Sequence, residues 1–124
     1  MAKFEKNIEK SYIKLLLKGD ILVKERKFEK AIKEFLKGYI YYIERNNEKI
    51  AVEILKKVSD CYLELERYEE ALKYFERVLE LSKKIKNDLL RACTLSDIGV
   101  VYKEFYDVTQ AEPFSSRQIR YLLN

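Results

Sequence analysis

Histidine is missing from all 124 residues. Its absence removes imidazole general bases, histidine metal ligands and every Ser-His or Cys-His nucleophile pair. Three glycines and one proline are the only strong breakers, too few for a β protein with many turns. Cys61 and Cys93 are the two cysteines; they form no CxxC pair, so the four ligands of a structural zinc cannot be assembled from cysteine and histidine. No apolar run approaches the length of a membrane span, and Met1-Ala2-Lys3-Phe4-Glu5-Lys6 lacks the apolar stretch of a signal peptide. The expectation is therefore no catalytic residue, no cofactor, no metal, no membrane partner and a cytoplasmic location.

What the chain does contain is 48% hydrophobic and 37% charged residues, the balance of a single soluble domain over residues 1–124. The net charge of +4 is too mild to imply nucleic acid. Its excess base lies near the start, where residues 1–45 hold 12 Lys and Arg against 7 Asp and Glu.

Side-chain type recurs every 40 residues. Asn7, Asn47 and Asn87 form one series, Leu15, Leu55 and Leu95 a second, and Gly19, Ser59 and Gly99 a third. Leu22, Tyr62 and Tyr102 continue the pattern, as do Phe28 with Tyr68, Ala31 with Ala71, and Phe35 with Phe75. A fixed period of this length marks a repeat architecture. Within each unit the apolar residues fall three and four apart, the helical spacing. Helices are predicted at about 7–25, 28–45, 47–65, 68–86 and 87–106, each repeating Asn serving as an N-cap. The repeats run over 7–46, 47–86 and 87–124. Small residues on both helices of a pair let the backbones approach closely, with the aromatics filling the space around them. The third unit departs after Asp107: Glu112 and Ser115 stand where Leu72 and Phe75 did, and Pro113 breaks a helix. Ser115 and Gln118 read as a capping box opening a short helix to Leu123, expected to lie as a lid on the last pair.

The two series Leu15, Gly19, Leu22, Phe28, Ala31, Phe35 and Leu55, Ser59, Tyr62, Tyr68, Ala71, Phe75 resemble the tetratricopeptide repeat pattern. Tyr68-Glu69-Glu70-Ala71-Leu72 is especially similar. The spacing of 40 rather than 34 resembles the long-repeat members. The resemblance implies an all-α right-handed superhelix of antiparallel helix pairs, non-enzymatic, binding a protein or peptide in a concave groove. Groove positions here are Asp20, Asp60 and Asp97, with Lys56 and Lys57 nearby. The Lys, Asn and Arg clamp that some members use on a partner's C-terminal carboxylate has no counterpart. Three aspartates instead favour a basic or neutral segment.

Lys6, Lys10, Lys14 and Lys18 line one face of the first helix, where later repeats carry apolar residues such as Ile50, Ile54 and Val58. They are expected to solvate the exposed end of the stack. Cys61 aligns with Ile21 and Val101 as a buried helix position, and Cys93 lies closer to the groove. A second surface is legible on the second helix. Leu36, Ile40 and Ile43 become Glu76, Glu80 and Lys83 one repeat later, so the fold does not demand that they be apolar. With Tyr39 and Tyr42 beside them they suggest a side-face interface, including a homodimer through residues 36–43, unless Phe4 folds back to cover the stripe. Two alternatives stand behind this reading: a signal-peptide sensor module, as in the long-repeat bacterial-type regulators the chain resembles, and a nucleic-acid-binding repeat protein using the first-helix lysines.

Overall fold

The computed structural model describes residues 2–111. It contains five helices, α1 (Ala2–Lys24), α2 (Phe28–Glu44), α3 (Glu48–Glu64), α4 (Tyr68–Lys84) and α5 (Asp88–Ala111). Each helix packs on the next in order, the arrangement that short connections force on neighbouring helices.

Turns set this spacing. Arg26, Asn46, Glu66 and Lys86 have φ of 61°, 58°, 58° and 57° and recur every twenty residues. At each, the following residue donates its N–H back to the third-last helical carbonyl: Lys27 to Leu22, Asn47 to Tyr42, Arg67 to Tyr62 and Asn87 to Ser82. The left-handed residue itself donates to the next carbonyl along, as Arg26 does to Val23. These are Schellman endings built without glycine. A side chain at positive φ costs about 1–2 kcal/mol, and glycine would recover part of that after its larger chain entropy. Lys86→Gly is thus expected to stabilise the protein by about 0.5–1 kcal/mol, and Lys86→Val to destabilise it by at least that much. Thermal melting of the two variants beside the parent checks both signs.

Asn47 and Asn87 cap as expected, their Oδ1 atoms accepting from the N–H of Ile50 (3.3 Å) and Leu90 (3.0 Å). Asn7 does not: α1 begins five residues earlier, and Asn7 lies inside it with its carbonyl accepting from the Ser11 hydroxyl. At the other end α5 runs past position 106 to Ala111 without the turn seen at Arg26 and Glu66. The aromatic that anchors the start of α2 (Phe28, 8% exposed) and α4 (Tyr68, 7%) is replaced there by Val108. With no such anchor the backbone simply continues its helical hydrogen bonds. The expected capping box and lid over 115–123 lie outside the described residues.

The core follows the crossings. Phe35, Ala31, Ile54, Val58 and Cys61 belong to one cluster joining α2 and α3. Val52, Leu55, Val78 and Leu81 join α3 to α4, and Tyr68, Ala71, Phe75 and Val101 join α4 to α5. Phe35 and Phe75 are wholly buried. Gly19 shows why its position is small: a Cβ there would sit 2.5 Å from the Phe35 ring. Gly99, expected to play the same part, meets nothing among the described residues, and Tyr102 beside it is 57% exposed. Among the described residues neither has the covering second helix that α2 and α4 provide earlier in the stack.

Candidate functional site

The three groove aspartates lie on α1, α3 and α5, and two lysines of α3 bind them together. Lys57 Nζ contacts Asp20 at 2.8 Å. Lys56 Nζ contacts Asp60 at 3.3 Å within α3 and Asp97 at 3.4 Å on α5. All five residues singled out in the sequence therefore meet on one surface. Their electrostatics differ from the expectation, however: each carboxylate already has an ammonium, so the surface presents no triad of free acids. Adjacent Lys56 and Lys57 diverge because successive helical positions point about 100° apart, and each reaches a different neighbouring helix.

Burial adjusts these charges. Desolvation pushes the Asp60 carboxyl above its usual range despite the attraction of Lys56. The same burial pulls the Lys56 ammonium down, but Asp60 and Asp97 together outweigh it and hold it above its ordinary value. Asp97 Oδ2 is buried and makes no hydrogen bond, so the Lys56 charge is what compensates it. Cys61, buried just below Asp60, has its thiol pushed up to about 12, chiefly by desolvation, and is inert as a nucleophile at neutral pH. Cys93 is exposed, and both cysteines are free.

Two shallow cavities flank the Arg26–Glu64 ion pair (3.7 Å). One, of about 300 Å³, has Val23, Phe28, Phe35 and Cys61 among its lining below the Asp20–Lys57 bridge. The second, of about 440 Å³, is lined by Leu63, Tyr68 and Val108 with Arg26 and the four acids Glu64, Glu66, Glu104 and Asp107 around them. The acidic character of the surface sits in this second cavity and not at Asp20, Asp60 and Asp97. Sequence reasoning passed over these four carboxylates, although Glu64 and Glu104 stand 40 residues apart and so occupy equivalent positions. Glu66 and Asp107 carried no such signal, since one lies in a turn and the other on the unexpected extension of α5.

The side face on α2 is narrower than its sequence suggests. Tyr42 is 3% exposed and its hydroxyl donates to Glu9 at 3.4 Å; burial first, then Glu9, raises its pKa. Leu36, Tyr39 and Ile43 are half-buried against the core. Ile40 alone is well exposed, at 53%. Helix α3 packs closely enough to absorb the rest of the stripe. Phe4 does not cover it, being 67% exposed on α1. Ile21, aligned with buried Cys61 and Val101, is likewise 56% exposed, because among the described residues no helix pair precedes α1.

Among the described residues no helix is long and apolar enough to cross a membrane. No match is found among curated proteins or among solved structures. A family model described as Tetratricopeptide repeat matches residues 50–116, more than half of the chain. Repeats of that family generally mediate protein–protein interaction. With its all-α stack of paired helices and this match, the chain belongs to the tetratricopeptide repeat family.

Proposed function

We propose that the protein is a non-enzymatic binding module that holds a segment of another protein along the α1–α3–α5 surface. The observation that carries this reading is the pair of cavities on either side of Arg26–Glu64, the first with a mainly apolar lining and the second with a mainly charged one. The first is close to neutral and takes an aliphatic side chain; the second, rimmed by Glu64, Glu66, Glu104 and Asp107, takes an arginine or lysine. The preferred partner is thus a basic or neutral segment, as the aspartates suggested, although the residues that select it are different. Because the ion-paired ladder is already formed, little ordering entropy opposes docking. The free thiols fit a cytoplasmic setting.

A selection from a display library of random peptides tests this directly. The expected winners place an aliphatic residue a few positions from a basic one, and Glu64→Lys/Glu104→Lys lowers their affinity by about tenfold or more without unfolding the protein. Winners without basic residues, or equal binding by the double variant, would count against the reading. Self-association through residues 36–43 is the weaker second reading. It now rests mainly on Ile40, while stable interfaces bury roughly 800 Å² on each partner. Light scattering is expected to show a monomer, with Ile40→Glu unchanged in mass; a parent dimer dissociated by that substitution would restore the side face.

A further inference from the structure

One face of each odd-numbered helix serves as a seat for another helix. On α3 the seat includes Ile54, Val58 and Cys61, buried to 3%, 0% and 2% in the cluster they share with α2. On α5 it includes Thr94, Ile98 and Val101, where Thr94 and Val101 are fully buried and Val101 and Ile98 pack with α4 residues. The equivalent residues of α1, 40 positions before those of α3, are Lys14, Lys18 and Ile21. Among the described residues this seat is empty.

Its chemistry is more specific than a solvated end requires. Ile13, Leu17 and Ile21 form an i, i+4, i+8 row that is 43%, 57% and 56% exposed. Lys10, Lys14 and Lys18 form a second row beside it. Lysines alone would keep this end of the stack in water; three aliphatic residues alongside them have no solvating role. Ile13 and Leu17 do not substitute for core residues, since their equivalents on α3 are Glu53 and Lys57, both exposed, whereas Ile21 stands where α3 and α5 carry buried Cys61 and Val101. Acids on α1 cancel only part of the charge, with Glu5, Glu9 and Asp20 set against Lys3, Lys6, Lys10, Lys14, Lys18 and Lys24. Glu9 receives the Tyr42 hydroxyl, Asp20 is taken by Lys57, and among the described residues Lys10 and Lys14 form no ion pair. Only Lys18 has a partner, Glu34 at 3.8 Å.

We infer that α1 is a docking site for an acidic amphipathic helix of a partner protein, which occupies on α1 the place that α2 occupies on α3. The partner helix presents carboxylates to Lys10 and Lys14 and an apolar row to Ile13, Leu17 and Ile21. Paired rows of this kind fix both register and direction, as flanking charges do beside an apolar seam in coiled coils. A nucleic acid would satisfy the lysines and leave the aliphatic row facing phosphate. This surface is separate from the α1–α3–α5 cavities, so the two proposals stand or fall independently.

The probe is a synthetic helix of about twenty residues with a leucine row beside a glutamate row, titrated against the 124-residue protein. A peptide of identical composition but scrambled period serves as its control. The protein has no tryptophan, so a single tryptophan placed on the peptide reports binding cleanly. Saturable one-to-one binding is expected, about tenfold or more tighter than for the scrambled control. It should fall by at least that factor in Lys10→Glu/Lys14→Glu and, separately, in Leu17→Ser/Ile21→Ser. These positions are exposed, and circular dichroism melts confirm that the variants remain folded. Equal binding of the scrambled peptide, or no saturation by about 1 mM, overturns the inference. So does preferential binding to duplex DNA or to phosphatidylglycerol vesicles, the two other anionic surfaces to be run in parallel.

Discussion

Gly19→Ala is expected to destabilise the protein by about 1–3 kcal/mol, lowering the melting temperature by roughly 4–12 °C for a chain of this size. The added Cβ would stand 2.5–2.9 Å from three atoms of the Phe35 ring. That ring is wholly buried and cannot swing aside, so α1 and α2 must separate. Alanine gains roughly 1 kcal/mol over glycine in a helix interior, which offsets only part of the clash. The same substitution at the equivalent Gly99 meets nothing within 4 Å among the described residues and should show the propensity gain alone. One residue type at two equivalent positions is thus expected to give opposite signs in thermal melts. A loss of stability at Gly99 as well would mean that another segment packs over α5.

Lys56→Met is expected to cost about 1–2 kcal/mol near neutral pH, the lower part of the range for broken ion pairs because Lys56 is partly exposed. Two carboxylates lose the one ammonium they share, and Asp97 Oδ2 is already buried without a hydrogen bond. The pH dependence follows from the direction of each shift. Lys56 is held above its usual value by its two aspartates, so its contribution is complete below the ordinary ammonium range and is lost as pH rises through the raised value. Asp60 is also raised, by burial. Above the ordinary aspartate value of 3.8 the folded protein holds the Asp60 proton more tightly than the unfolded chain does, so the Asp60 contribution to stability falls as pH rises through that window. Without Lys56, Asp60 moves further up. The cost of Lys56→Met should therefore shrink as pH falls from 7 toward 4, and Asp60→Asn should recover part of it at pH 7. Urea denaturation at several pH values measures both; a loss independent of pH would mean that Lys56 acts through packing alone.

The residues most legible in the sequence were those whose role repeats. Phe35 and Phe75, Ala31 and Ala71, and Leu55 with Ser59 are buried because each sits at a crossing that every complete pair must make. Side-chain size alone marks such positions. Position 26 and its equivalents were not legible as left-handed turn residues, because arginine, asparagine, glutamate and lysine occupy them and none is glycine. The backbone there is held by the hydrogen bonds of its neighbours, which composition does not reveal. Likewise, Asp20 and Asp60 could be placed on one surface from the 40-residue step, and Asp97 from its place one turn before the third equivalent, Val100, but whether they were free or paired could not be read. That depends on two lysine side chains reaching in different directions across interhelical gaps of a few ångströms.

The helical period, the recurrence of side-chain types and the scarcity of breakers determined by themselves an all-α stack of paired helices with no histidine chemistry. Each is a local or repeating property, and repeat folds are built from interactions between near neighbours. Tertiary structure alone decided which surplus apolar residues are exposed. Tyr42 disappears into the core while Ile21, aligned with buried Cys61 and Val101, faces outward. The reason is physical: burial depends on what stands opposite a residue, and equivalent positions along the described stack have different neighbours.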